Sequence, residues 1–228
     1  TKKGTSDKLS VSYDGYVGVQ SVSKKLDMMN AYEYAEFVKD AHDNAYLSEV
    51  PGASVNDPNS VRPKGYQQIP TDLYPYLEGV KGLTDTDWQD AIFRNAMPTG
   101  HNISVSGKSN SINYFVSGNY MKKEGVIIGS DFEKYGGRLN LSGQHKRLKF
   151  GVNFAPSYST SNSVDASGAG GIVQSALMMP PTFPVYNADG SYNFQGNGYW
   201  RIGTDYQHNE VMNPVAMARL QSNVTDRM

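Results

Sequence analysis

"INYFVSGNYM", residues 112–121, and "LKFGVNFAPSYS", residues 148–159, decide the fold. In the first, Ile112, Tyr114, Val116 and Tyr120 alternate with Asn113, Ser117 and Asn119, and Phe115 is the exception. In the second, Leu148, Phe150, Val152, Phe154 and Tyr158 alternate with Lys149, Gly151, Asn153, Ala155, Ser157 and Ser159. A period of two is the signature of a strand with one apolar and one polar face. Residues 9–20 repeat it, with Leu9, Val11, Tyr13, Gly15, Val17 and Val19 set against Ser10, Ser12, Asp14 and Gln20, and Leu139 and Leu141 flank Asn140. Such segments are near the ~9 to 11 residues a tilted strand needs to cross a bilayer. Strands of globular proteins average nearer ~5 to 6. The apolar face therefore has two possible solvents, a protein core or lipid.

The connections separate these readings. Residues 107–111 and 143–147 are short polar turns, whereas 121–132 is longer and 22–101 longer still. Short turns at one end and long loops at the other is the pattern of an outer-membrane β-barrel, and a soluble β-sandwich has no reason to sort its loops this way. Composition is compatible: a barrel strand hides its lipid face by alternation, so the mean hydropathy of -0.54 is no obstacle. A net charge of -1 over 228 residues gives no electrostatic reason to expect nucleic acid as a partner. With no Cys there is neither a disulfide framework nor a thiolate metal site or nucleophile. No run reaches the ~18 apolar residues of a membrane-spanning helix.

The long first loop carries its own pattern. Asn30 and Glu33 have capping-box spacing, and Tyr34, Phe37, Val38, Ala41 and Ala45 recur at helical spacing, which predicts a helix over 31–45. Pro51, Gly52, Pro58, Pro63, Gly65 and Pro70 then predict an irregular loop. A second short helix is expected over 88–94. An apolar run at 172–179 ends at Pro180-Pro181, and residues 187–190, Asn-Ala-Asp-Gly, read as a hairpin turn.

No reaction centre emerges. Glu33, Glu36, Asp40 and Asp43 read as a solvated helix face, since nothing in the sequence tunes one against another. His42, His101, His145 and His208 lack ligand-like spacing and read as surface or turn residues, so neither a metal nor a catalytic site is expected, and no cofactor. Asp189 sits in a turn without the rest of a calcium loop. Aromatic residues outside the alternating strands are the remaining hint. Tyr74, Tyr76, Tyr199, Trp200 and Tyr206 can stack on sugars or anchor peptides and are the candidate substrate-binding residues, while Trp88 reads as helix packing.

Several stretches taken together resemble the SusC/RagA family of TonB-dependent outer-membrane transporters. They are Thr1-Lys2-Lys3-Gly4 before "LSVSYDGYVGVQ" (9–20), "LDMMNAYEYAEFV" (26–38), "TDWQDAIFRNA" (86–96), "ISVSGKSNSINYFVSGNYMKKEGVIIGSDFEKYGGRLNL" (103–141), "LKFGVNFAPSYS" (148–159), "MMPPTFPVYNADGSY" (178–192) and "NPVAMA" (213–218). The resemblance spans nearly the whole chain in family order. It implies an all-β fold: an antiparallel segment of a 22-stranded, plugged transmembrane β-barrel, with short helices in long extracellular loops. Residues 1–4 would end the plug domain, and residues 5–228 would be the first part of the barrel, with long loops at 21–101 and 160–220. The chain would then be about a quarter of a transporter in a bacterial outer membrane.

The resemblance also implies a role without enzymatic activity. Such a protein imports oligosaccharides or peptides, driven by the TonB complex through a plug and TonB box outside this chain, while a SusD-like surface lipoprotein captures substrate at the loops 21–101, 122–132 and 160–220. Asn113, Ser117, Asn119, Asn140, Lys149 and Asn153 would line the lumen, and Val17, Val19, Tyr114, Val116, Phe150, Val152 and Phe154 would face outer-membrane lipid. Gly136-Gly137 predicts a bulge or a close approach of the plug. The alternative reading of the same pattern is a surface or soluble glycan-binding β-module.

Overall fold

The computed structural model describes residues 8–66, 71–168, 170–194 and 212–228. The chain divides into a strand unit, Thr1–Ser23, Phe93–Val164 and Gln221–Met228, and a helical unit, Lys24–Ile92 and Asp165–Leu220. The segments that alternate with period two fall in the first and those with helical spacing in the second.

Seven strands make up the strand unit: β1 (Ser10–Val17), β2 (Thr99–Ser109), β3 (Ile112–Glu124), β4 (Asp131–His145), β5 (Leu148–Phe154), β6 (Ser157–Ser163) and β7 (Asn223–Arg227). They form one antiparallel sheet in the order β1-β2-β3-β4-β6-β7, with β5 also on β4. Two-residue connections join β2 to β3 and β4 to β5, with left-handed backbone at Asn110 (φ 52°) and Lys146 (φ 53°). Asn tolerates that region better than most side chains, because its short polar group bonds locally. Other junctions differ from expectation. β3 runs to Glu124 and β4 begins at Asp131, so the loop expected at 122–132 shrinks to 125–130. Arg94 fastens it, donating from Nε to the Gly125 carbonyl and from Nη2 to that of Ser130. β1 ends at Val17 rather than Gln20, although Gln20 still bridges Ala96.

Gly136-Gly137 makes no bulge. The β3–β4 register is continuous from Ile112 opposite Gly143 to Glu124 opposite Asp131. β5 and β6 are one strand in register against β4, with Leu139 opposite Phe154 and Gly136 opposite Ser157, interrupted because Pro156 has no N–H to donate. The Pro156 carbonyl still accepts from Gly137 N at 2.9 Å, and a Cβ built on Gly137 would stand 3.5 Å from Pro156 Cγ. At Gly136 a side chain would collide with the Asn119 amide, so close approach rather than a kink explains that glycine.

The helical unit contains α1 (Ala31–Glu49), a 3-10 turn at Thr71–Leu73 leading into α2 (Tyr74–Leu77), α3 (Trp88–Ile92), α4 (Ile172–Met178) and α5 (Pro214–Leu220). α1 starts where the capping box predicts: Asn30 Oδ1 accepts from the Tyr32 and Glu33 amides, and Glu33 reaches back to Asn30 N. It runs four residues beyond the expected Ala45. Ala31, Tyr34, Ala35 and Val38 pack with Leu73 and Tyr76 into a small core. α2 lies just beyond the stretch 51–70 whose prolines predict an irregular loop; Pro75 fits in it because the first turn of a helix needs no N–H at that position. Among the described residues, no helix is long and apolar enough to cross a membrane, which says nothing of strands.

Candidate functional site

Register sorts the sheet into two chemically opposite faces. Asn113 stands opposite Ser142 and Lys108, Asn140 opposite Phe115 and Asn153, Ser117 opposite Ser104 and Arg138, and Asn119 opposite Asn102 and Gly136. Asn113, Ser117, Asn119, Asn140, Lys149 and Asn153 therefore share one polar face. Phe115 lies on it too, breaking the alternation, but only 9% exposed. On this face a pocket of about 170 Å³ is lined by Asn113, Asn140, Ser142 and Asn153, and Asn113 Oδ1 is buried there with no hydrogen-bond partner among the described residues.

The other face is apolar and open. Tyr114 stands opposite Leu141, which stands opposite Val152; Val116, Leu139 and Phe154 form the next row, and Val17 lies on the same face. Val19 falls beyond β1. Val17 is 73% exposed, Phe154 60% and Val152 50%. A soluble monomer rarely leaves so continuous an apolar surface in water. Toward the long-loop end the face changes to aromatics with polar tips. His101, Tyr120, Tyr135 and Tyr158 occupy one register row across β2, β3, β4 and β6. The His101 and Tyr120 rings stack at 6.4 Å, Tyr120 and Tyr135 lie 5.0 Å apart, and the Tyr13 hydroxyl is hydrogen-bonded to His101 Nδ1 at 2.7 Å. From Tyr120 to Ile112 is roughly 26 Å of strand, which at a tilt of about 40° covers roughly 20 Å of membrane normal. That approaches the ~25 Å apolar band of an outer-membrane barrel, bordered by an aromatic row where rings with polar tips suit a lipid–water boundary.

The helical unit is held by buried polar clasps. Arg62, expected in irregular loop, is 3% exposed and donates to Asp43 Oδ1 at 2.7 Å and to the Val55 and Asp57 carbonyls, with its guanidinium 4.6 Å from the Tyr46 ring centre. Asp43 is thus not on a solvated helix face, as its spacing suggests; it is 6% exposed because residues 54–62 fold back over α1. His42 is likewise buried rather than at the surface. Asn213 is wholly buried: its Nδ2 donates to the Val185 and Asn193 carbonyls and its Oδ1 accepts from the Val215 and Ala216 amides, capping α5. Asp189 organises the expected turn, accepting from Ser191 N and Oγ, with Gly190 at φ 83°.

The candidate substrate-binding aromatics are divided. Tyr76 is 8% exposed, its ring edge-on to Tyr32 and its hydroxyl donating to the Thr84 carbonyl, so packing claims it. Tyr74 packs, half-buried, against the same core. Tyr199, Trp200 and Tyr206 lie outside the described residues, as do residues 1–4. Trp88 packs as expected, with Nε1 donating to the Pro180 carbonyl.

No family model matches the chain. Among curated proteins it is 31% identical over 204 residues to TonB-dependent receptor SusC of Bacteroides thetaiotaomicron, covering 88% of this chain and 17% of that one. It is 28% identical over 225 residues to TonB-dependent receptor P3 of Formosa agariphila, covering 96% and 18%. The chain thus spans about a fifth of the length of the curated relatives it matches. In fold it is similar to a solved chain of the RagAB peptide importer in the closed-closed state (TM-score 0.59, 23% identity, 89% of this chain and 24% of that one) and in the open-open state (TM-score 0.60, 22% identity, 89% and 23%). Those relatives are receptors rather than enzymes, and the chain is SusC/RagA-like, an all-β segment corresponding to about a fifth of a TonB-dependent receptor of the outer-membrane β-barrel class.

Proposed function

We propose that the chain is the first part of the barrel of a TonB-dependent importer of oligosaccharides or peptides that works with a SusD-like surface lipoprotein. The observation that carries this reading is the two-faced sheet: an exposed apolar face bordered by aromatics, and an opposite face of Asn, Ser, Lys and Arg side chains. Lipid solvates the first, and the second lines an aqueous or plug-filled interior, so Asn113, Ser117, Asn119, Asn140, Lys149 and Asn153 are lumen residues. Loops 21–101 and 160–220 serve the lid and the cargo, and residues 1–4 close the plug.

Uptake by cells carrying the full receptor tests this. Labelled oligosaccharides and peptides are supplied to cells with and without a working TonB complex, and the receptor is located by membrane fractionation. The expected result is outer-membrane receptor with uptake that disappears when either TonB or the receptor is removed. Receptor in the aqueous fraction, binding glycan without transporting it, would replace the importer with a glycan-binding β-module.

A further inference from the structure

We propose that a cleft in the helical unit captures cargo carrying a positive charge beside an apolar side chain, so that the imported substrate is a basic, apolar peptide rather than a neutral oligosaccharide. This rests on the import reading and narrows it. The cleft, about 890 Å³, opens where the chain entering α1, the start of α3 and the end of α4 meet. That volume suits several side chains of a short ligand. Its walls are thioethers and a ring: Met28, Met29, Phe37 and Met178 line it, each an exposed large hydrophobic. Methionine is unbranched and polarisable, so such walls adapt to varied apolar side chains, which a receptor for mixed peptides requires.

The charged part of the lining has one sign. Asp27, Asp85 and Asp87 line the cleft, and no Lys, Arg or His does. Asp85 Oδ1 accepts from Ala31 N and Asp87 Oδ1 from Asp90 N, which leaves each a second oxygen. Asp27 makes no hydrogen bond or ion pair among the described residues. Lys25, two residues before Asp27, is paired with Asp90, outside the lining. Carboxylates are acceptors only, and an ammonium or guanidinium is donors only, so the match is complementary. A neutral oligosaccharide finds hydroxyl acceptors in the same carboxylates and a ring in Phe37, but it leaves their negative charges uncompensated, which an ammonium or guanidinium does not.

The test uses the full receptor in nanodiscs and three labelled probes read by fluorescence anisotropy: a hexapeptide with a central Arg-Phe pair, the same peptide with Glu-Phe, and maltohexaose. The Arg-Phe peptide is expected to bind, more weakly at high salt, and ahead of the other two. Asp27→Asn and Met178→Gln, both at the cleft surface, should each weaken it about fivefold to tenfold, whereas Glu49→Gln, remote from the lining, should not. Equal binding of the Glu-Phe peptide, preference for maltohexaose, or Arg-Phe affinity indifferent to both cleft substitutions overturns the proposal. Uptake distinguishes the layers: TonB-dependent import of maltohexaose without peptide binding sinks the cargo inference and keeps the importer, whereas peptide binding without any TonB-dependent uptake does the reverse.

Discussion

Arg62 shows what one buried charge does in the helical unit. With its side chain out of solvent, its pairing with Asp43 holds residues 54–62 against α1. Burial works to raise the Asp43 carboxyl, but hydrogen bonds from Lys39 and Arg62 and their charges outweigh it and hold the group below the ordinary carboxylate range. Asp57 is lowered too, first by the Ser54 amide and then by the Tyr46 hydroxyl. A carboxyl whose pKa is lowered by folding binds fewer protons folded than unfolded, so its contribution is complete above the ordinary value of about 4 and is lost as pH falls through the folded value. In the full receptor, amide exchange of residues 54–62, corrected for intrinsic rates, should be slow at pH 6 and fast near pH 3. Equal protection at both pH values would mean that ionised Asp43 and Asp57 do not hold this segment.

At the scale of the element, β5 is the sharpest case, because successive residues face opposite environments. Val152 lies on the open apolar face and Asn153 on the polar one, opposite Asn140. Val152→Arg should reduce the stability of the membrane-assembled receptor by about 1 to 2 kcal/mol, less than the midplane cost of arginine because its row lies toward the turn-side edge of the apolar band, while Asn153→Arg should be tolerated. Folding yield into lipid vesicles, read by heat-modifiable gel mobility, measures both. If the two substitutions cost the same, the faces are misassigned. The Pro156 interruption fits this picture: β5 and β6 keep one register, so side-chain facing carries through from Phe154 to Tyr158 on the apolar side.

For the whole molecule the question is which solvent meets which face. A soluble sandwich would cover the apolar face with a second sheet, but the described strands form one sheet and leave Val116, Val152 and Phe154 exposed. Spin labels on the full receptor in lipid report this directly. Labels at Val116 and Phe154 should be relaxed by bilayer-soluble oxygen, and labels at Ser117 and Asn153 by a water-soluble nickel chelate or by neither. Nickel access at all four positions would remove the bilayer from the account.

The sequence by itself determined β1, β3 and β5 with their two faces and the start of α1, because period two, period 3.6 and a capping box are local patterns that neighbouring residues impose on one another. Its ensemble of motifs also carried the resemblance to SusC/RagA receptors. Only the tertiary structure decided where Asp43 and Tyr76 lie, since the first is held by Arg62 and the second packs with Ala31, Tyr34, Ala35 and Val38 of α1, both from distant positions in the chain. It likewise removed the bulge that was one of two expectations at Gly136-Gly137, setting Gly136 close against the Asn119 side chain, and gathered residues near 27, 86 and 178 into one acid-lined cleft. Each of these is a long-range contact, set by side chains that no local window of sequence contains.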